Sequence, residues 1–121
     1  MLDHSHTSVL IVDDSPTIRT LVAAVLEDDG YQVQTAEDGR AALEAVAQHP
    51  PALIFLDMEM PEMDGWSFAD AYHSLPLPHA PIVVMTARHA NTCAHQVEAA
   101  AALQKPFGIL QLLDLVDRLV A

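Results

Sequence analysis

Four short, nearly unbroken apolar runs recur along the chain: Val9–Val12, Leu53–Leu56, Ile82–Met85 and the weaker Ala101–Leu103. Runs this short, apolar on both sides and rich in β-branched residues, suit strands buried on both faces of a parallel sheet. A fifth segment, Tyr31–Ala36, alternates apolar and polar residues, as an edge strand with one wet face does. Helical spacing fills the intervals. After Ser15-Pro16, an N-cap with proline in the first turn, Ile18, Leu21, Val22 and Val25 recur at i, i+3, i+4 and i+7, and Gly30 is placed to stop the helix. Asp38 opens a second helix through Ala42, Leu43 and Val46 to the break at Pro50-Pro51, and a third runs from Asp64-Gly65 to the proline-punctuated Leu75–Pro81. The fourth, Asn91–Ala100, is alanine-rich and has Val97 as its one large aliphatic anchor. The last carries Ile109, Leu112, Leu113, Val116 and Val120 on one stripe. Strand and helix alternate five times through short connections, which predicts an α/β sheet covered on both faces.

Length and charge narrow the function. The 121 residues suffice for one domain, expected over 8–121 after a frayed segment at 1–7. With 51% apolar residues the chain can bury a core. Five Lys and Arg against 17 Asp and Glu leave a net charge of -12, which disfavours direct contact with nucleic acid or an anionic membrane. No apolar run approaches the roughly 20 residues of a membrane span, and the amino terminus lacks the pattern of a secretory signal. The single cysteine, Cys93, excludes an internal disulfide and fits a reducing cytoplasm.

Ligands of open α/β sheets bind beyond the carboxyl ends of the strands. Directly after the first run stand Asp13 and Asp14, after the third-strand run Asp57, after the fourth Thr86, and near the end of the fifth Lys105. One such aspartate is ordinarily a helix cap; five polar groups at the ends of four apolar runs point to a shared site. Three converging carboxylates repel one another and call for a cation, and all-oxygen ligands in a shallow hydrated site favour Mg²⁺ over Ca²⁺.

Asp13-Asp14, Asp57 followed by Met60-Pro61 and Asp64-Gly65, Val84-Met85-Thr86-Ala87, and Lys105-Pro106-Phe107 together resemble the receiver domain of bacterial two-component response regulators. Each fragment alone is weak, but their order and spacing, from about Ser8 to Leu119, are specific. The resemblance implies a flavodoxin-like doubly wound sheet of five parallel strands with five helices, in the order 2-1-3-4-5 seen in chemotaxis members of the family. It also implies that Asp57 is the phosphoacceptor and that the donor is a phosphohistidine on a sensor histidine kinase or a histidine phosphotransfer protein. Asp13, Asp14, Asp57 and the backbone carbonyl of Glu59 would hold Mg²⁺, Lys105 would neutralise phosphoryl charge, and Thr86 would donate its hydroxyl to a phosphoryl oxygen. Pro106 would follow a cis peptide bond that aims Lys105 at the site.

The resemblance also marks departures. The family's usual aromatic residue three positions before the lysine is here Ala102, so activation is expected to run through the Thr86 loop and the weak fourth helix. Glu59 and Arg88, two residues beyond Asp57 and Thr86, have opposite signs and could pair over the site mouth. Without a visible charge ladder between the fourth and fifth helices, a monomer or weak dimer is expected. The effector is either a downstream protein or an output domain outside these residues.

Two other functions compete with this switch. A Mg²⁺-dependent phosphohydrolase with an Asp nucleophile wants a second Asp where Glu59 stands, and a cap for which 121 residues leave no room. A phosphorylation-independent pseudo-receiver would not need Asp13, Asp14, Asp57, Thr86 and Lys105 together. Elsewhere the residues read as structural. His4 and His6 are too few ligands to close a metal site, and His49, His73, His79, His89 and His95 are expected in solvent. Cys93 reads as buried and inert, and Trp66 as packing at the start of the third helix. Met58, Met60 and Met63 read as loop packing, and Glu27-Asp28-Asp29 as a solvated helix end.

Overall fold

A computed structural model describes residues 5–120. Its elements are β1 (Ser8–Val12), α1 (Pro16–Asp28), β2 (Gln32–Ala36), α2 (Gly39–Gln48), β3 (Leu53–Asp57), α3 (Gly65–His73), β4 (Ile82–Thr86), α4 (Ala90–Gln96), β5 (Ala101–Gln104) and α5 (Ile109–Val120). The five strands form one parallel sheet in the order β2-β1-β3-β4-β5, as the resemblance implied.

Strand alternation divides the core. Leu10, Val12, Ile54, Leu56, Ile82 and Val84 point to one face, against Ala42 and Val46 of α2, Phe68 and Tyr72 of α3, and Cys93 of α4. Val9, Ile11, Leu53, Phe55, Val83 and Met85 point to the other, against Val22 and Leu26 of α1 and Leu112 and Val116 of α5. Neighbouring side chains on a strand thus serve opposite layers, which is why the runs are continuous in sequence. No described helix is long and apolar enough to cross a membrane.

Local chemistry sets the helix ends. The Ser15 hydroxyl, the Asp38 carboxylate and the Asp64 carboxylate accept from the N–H of Ile18, Ala41 and Ser67. Gly30, at φ 96°, turns the chain from α1 into β2.

Several expectations need correction. The fourth helix is shorter than Asn91–Ala100, covering Ala90–Gln96. Glu98 adopts φ 56°, and the N–H of Ala100 already donates to the Ile82 carbonyl at 2.8 Å, which draws the chain into the sheet. Leu21 is 48% exposed, because at about 100° per residue it lies roughly 140° from Leu26, outside the arc that faces the sheet. Ile109, at 51%, is exposed in the first turn of α5. Trp66 does not pack at the start of α3; its indole N–H reaches across to Gln96 Oε1 at 2.8 Å and ties α3 to the end of α4. His73 and His79 are exposed, as expected, but their rings gather about Tyr72 at centroid separations of 5.8 and 5.1 Å. Of the 1–7 segment, residues 1–4, including His4, lie outside the described residues, while the Thr7 carbonyl accepts from the Gln32 N–H at 3.0 Å.

Candidate phosphoacceptor site

The sheet register brings the polar strand ends together. Val12 pairs with Leu56 and Asp57 with Met85, while Thr86 pairs with Gln104 just before Lys105. Asp13, Asp57 and Thr86 are all buried, at 0%, 5% and 2% exposure, whereas Asp14 is exposed. Carboxylate oxygens of Asp13, Asp14 and Asp57 lie within 4.8 Å of one another.

Asp13 is held at four points. Its N–H donates to the Ala36 carbonyl at 3.1 Å, and its Oδ1 accepts from the Ser15 N–H at 2.8 Å. Its Oδ2 accepts from Lys105 Nζ at 2.7 Å, and its backbone carbonyl accepts from Arg19 Nη1 at 2.6 Å. Lys105 Nζ also stands 3.7 Å from Asp57 Oδ1. The Lys105 N–H donates to the Thr86 carbonyl at 2.8 Å, and the Lys105–Pro106 bond is cis.

One ammonium among three carboxylates leaves excess negative charge. Burial and the charge of Asp13 push the Asp57 carboxyl up to about 7, against the opposing pull of Lys105 and the Glu59 N–H. A hard divalent cation would relieve that excess, and the clustered oxygen donors suit one.

Two glycines hold the surrounding loops. The Gly39 N–H donates to the Met63 carbonyl at 3.1 Å, and the Gly65 N–H to the Met58 carbonyl at 3.0 Å. A Cβ on Gly65 would lie 2.7 Å from Met58 Cα and 2.8 Å from the Asp57 carbonyl oxygen. Both neighbours are backbone and cannot swing aside. Gly65→Ala is therefore expected to cost about 1–3 kcal/mol of unfolding free energy, read by denaturant titration. It should also shift the strand end that carries Asp57.

Met58 is fully buried, and Met60 and Met63 pack against the same cluster, as loop packing requires. Ala102 is half-buried against that cluster too. Cys93 is buried, and burial pushes its thiol up, as expected of an inert cysteine. Glu59 and Arg88 are exposed and form no ion pair with each other among the described residues. Arg19 escaped the sequence reading. The signal was a basic residue in the opening turns of a helix, where the macrodipole disfavours it.

A buried strand-end aspartate, beside an acidic cluster and a lysine on a doubly wound sheet, defines the class of receiver-type signalling domains. The chain matches the family model of the response regulator receiver domain over residues 9–117 and belongs to that family of two-component systems. It is 36% identical over 110 residues to the transcriptional regulatory protein KdpE of Mycobacterium tuberculosis, covering 88% of this chain and 48% of that protein. It is 34% identical over 119 residues to the response regulator Rre1 of Synechocystis, covering 94% and 52%. The chain spans about a quarter to a little over half of the length of the curated relatives it matches. Among solved structures, the chemotaxis response regulator CheY4 of Vibrio cholerae matches with a TM-score of 0.85 at 35% identity, over 93% of this chain and 98% of that one. The receiver domain of NtrX from Brucella abortus matches at 0.84 and 31%, over 93% and 97%.

Proposed function

We propose that this domain is a phosphoacceptor switch that takes a phosphoryl group onto Asp57 and thereby changes its affinity for a partner or output domain. The observation that carries this is the buried Asp57 carboxylate, 3.7 Å from Lys105 Nζ and clustered with Asp13 and Asp14. The donor would be a phosphohistidine on a sensor histidine kinase or a histidine phosphotransfer protein, in a cytoplasmic setting.

Asp57 forms the new P–O bond through a carboxylate oxygen while the P–N bond of the donor breaks. When bound by Asp13, Asp14, Asp57 and the Glu59 carbonyl, Mg²⁺ would supply positive charge to the carboxylates and the transferring oxygens. The Lys105 ammonium, between Asp13 and Asp57, can turn toward an arriving phosphoryl oxygen without leaving the site. Thr86, at the end of β4, would donate its hydroxyl to another of those oxygens. Such a bond would pull the segment between β4 and α4 inward. The helix that follows is seven residues long and is entered and left through left-handed residues, His89 at φ 53° and Glu98 at φ 56°. We therefore expect α4, short and bounded by these two positions, to be the element that moves with Thr86.

Incubation with Mg²⁺ and acetyl phosphate, followed by mass spectrometry, tests the reading. A covalent adduct on Asp57 supports it. Steady phosphate release without an adduct would indicate a phosphohydrolase, and no reaction a pseudo-receiver.

Glu59 and Arg88 bear on how long the signal lasts. With a phosphoryl group between them, they would restrict the in-line approach of water. Glu59→Ala and Arg88→Ala are each expected to change dephosphorylation, with a coupling of up to about 1 kcal/mol, or roughly fivefold in rate. Phosphate loss from the two single variants and the double variant measures it; strict additivity in log rate would remove the gate.

A further inference from the structure

We infer that Arg19 is a positioning residue for the acidic pair Asp13-Asp14, an inference that rests on the Mg²⁺-dependent phosphoacceptor reading. Arg19 is the fourth residue of α1, close to the helix end whose dipole repels a cation. It takes part in none of the ion pairs among the described residues. Its guanidinium instead donates from Nη1 to the Asp13 carbonyl at 2.6 Å, a short, charge-assisted bond in a half-buried setting.

That carbonyl belongs to the peptide unit joining Asp13 to Asp14. The unit is planar, so a bond to its oxygen also orients the N–H and Cα of Asp14. The Asp13 side chain is already fixed on both oxygens, by Ser15 and Lys105. Asp14 is exposed, and the direction in which it leaves the backbone follows from the peptide that Arg19 holds. The gathering of three carboxylates within 4.8 Å therefore depends on a residue that ligates nothing.

The two effects of Arg19 on a cation have opposite signs, which makes the inference testable. As a nearby positive charge, Arg19 opposes Mg²⁺ binding; as a positioning residue, it favours it. Arg19→Met and Arg19→Gln remove the charge and the long donor, and Arg19→Lys keeps both. Calorimetric titration with Mg²⁺ is run on all four proteins, with denaturant melts of the magnesium-free forms to verify folding. Partners that orient metal ligands typically contribute tenfold or more, so Arg19→Met and Arg19→Gln are expected to bind Mg²⁺ about tenfold more weakly. Arg19→Lys should recover part of that loss. Tighter Mg²⁺ binding in the neutral variants would mean that only the charge matters, and would overturn the inference. A lowered melting midpoint with unchanged Mg²⁺ affinity would show a purely structural role and overturn it equally. If one neutral variant does not fold, the other decides by the same criterion. Failure of the wild-type protein to bind Mg²⁺ would overturn the phosphoacceptor reading, and this inference with it.

Discussion

Asp57→Asn is expected to abolish covalent phosphorylation and, at the same time, to make the magnesium-free protein more stable at neutral and alkaline pH. The carboxyl is pushed up to about 7 by burial and by Asp13, so the folded state holds a proton that the unfolded chain has already released. Protonation of Asp57 therefore supports the fold at low pH, and that contribution is lost as the pH rises from about 4 through 7. Asparagine carries no charge to bury and escapes the loss. With each pKa unit corresponding to about 1.4 kcal/mol, the gain at pH 8 is at most about 4 kcal/mol, and it should vanish near pH 4. Denaturant titrations of the two proteins at pH 4 and pH 8 without divalent cation provide the check. A variant no more stable than wild type at pH 8 would show that Asp57 is not under the electrostatic load that its neighbours imply.

Magnesium should act on the same excess charge. A cation that binds only the folded state, present at about 100 times its dissociation constant, adds roughly 2.7 kcal/mol, or on the order of 10 °C in melting temperature for a domain of this size. Asp14→Asn is the cleaner variant, because Asp14 is exposed whereas Asp13 is buried and bonded to Lys105. Asp14→Asn and Asp13→Asn are both expected to lose most of the shift and to slow phosphorylation together with it. Melting curves with and without Mg²⁺ decide the matter. A full shift retained in Asp14→Asn would remove that residue from the cation site.

The fold and much of the site were legible because both depend on local pattern. Continuous runs such as Val9–Val12 and Leu53–Leu56 could satisfy only a sheet covered on two faces, and Asp13, Asp57 and Thr86 stood where those runs ended. Ser15, Asp38 and Asp64 announced their helices because capping is a contact over three residues. Two of the errors fell where a neighbour distant in sequence decided. Trp66 is drawn outward by Gln96, thirty residues away. The fourth helix stops early because Ala100 is claimed by the Ile82 carbonyl. Alanine-rich sequence has no periodicity from which to foresee either.

Hydrophobic period and strand-end chemistry belong to the chain itself, since they follow from the two-residue and 3.6-residue repeats of the backbone. From them alone came the alternating elements, the two-faced sheet and the polar residues that share one edge. Which strands adjoin, and therefore how close those residues come, was a matter for tertiary structure. Asp13 and Lys105 are 92 residues apart in sequence, yet their side chains meet at 2.7 Å because β1, β3, β4 and β5 lie side by side. The raised Asp57 pKa and the hold of Arg19 on the Asp13 carbonyl have the same origin. Charge interaction and hydrogen bonding act over a few ångströms, and a sequence specifies such distances only after the sheet has closed.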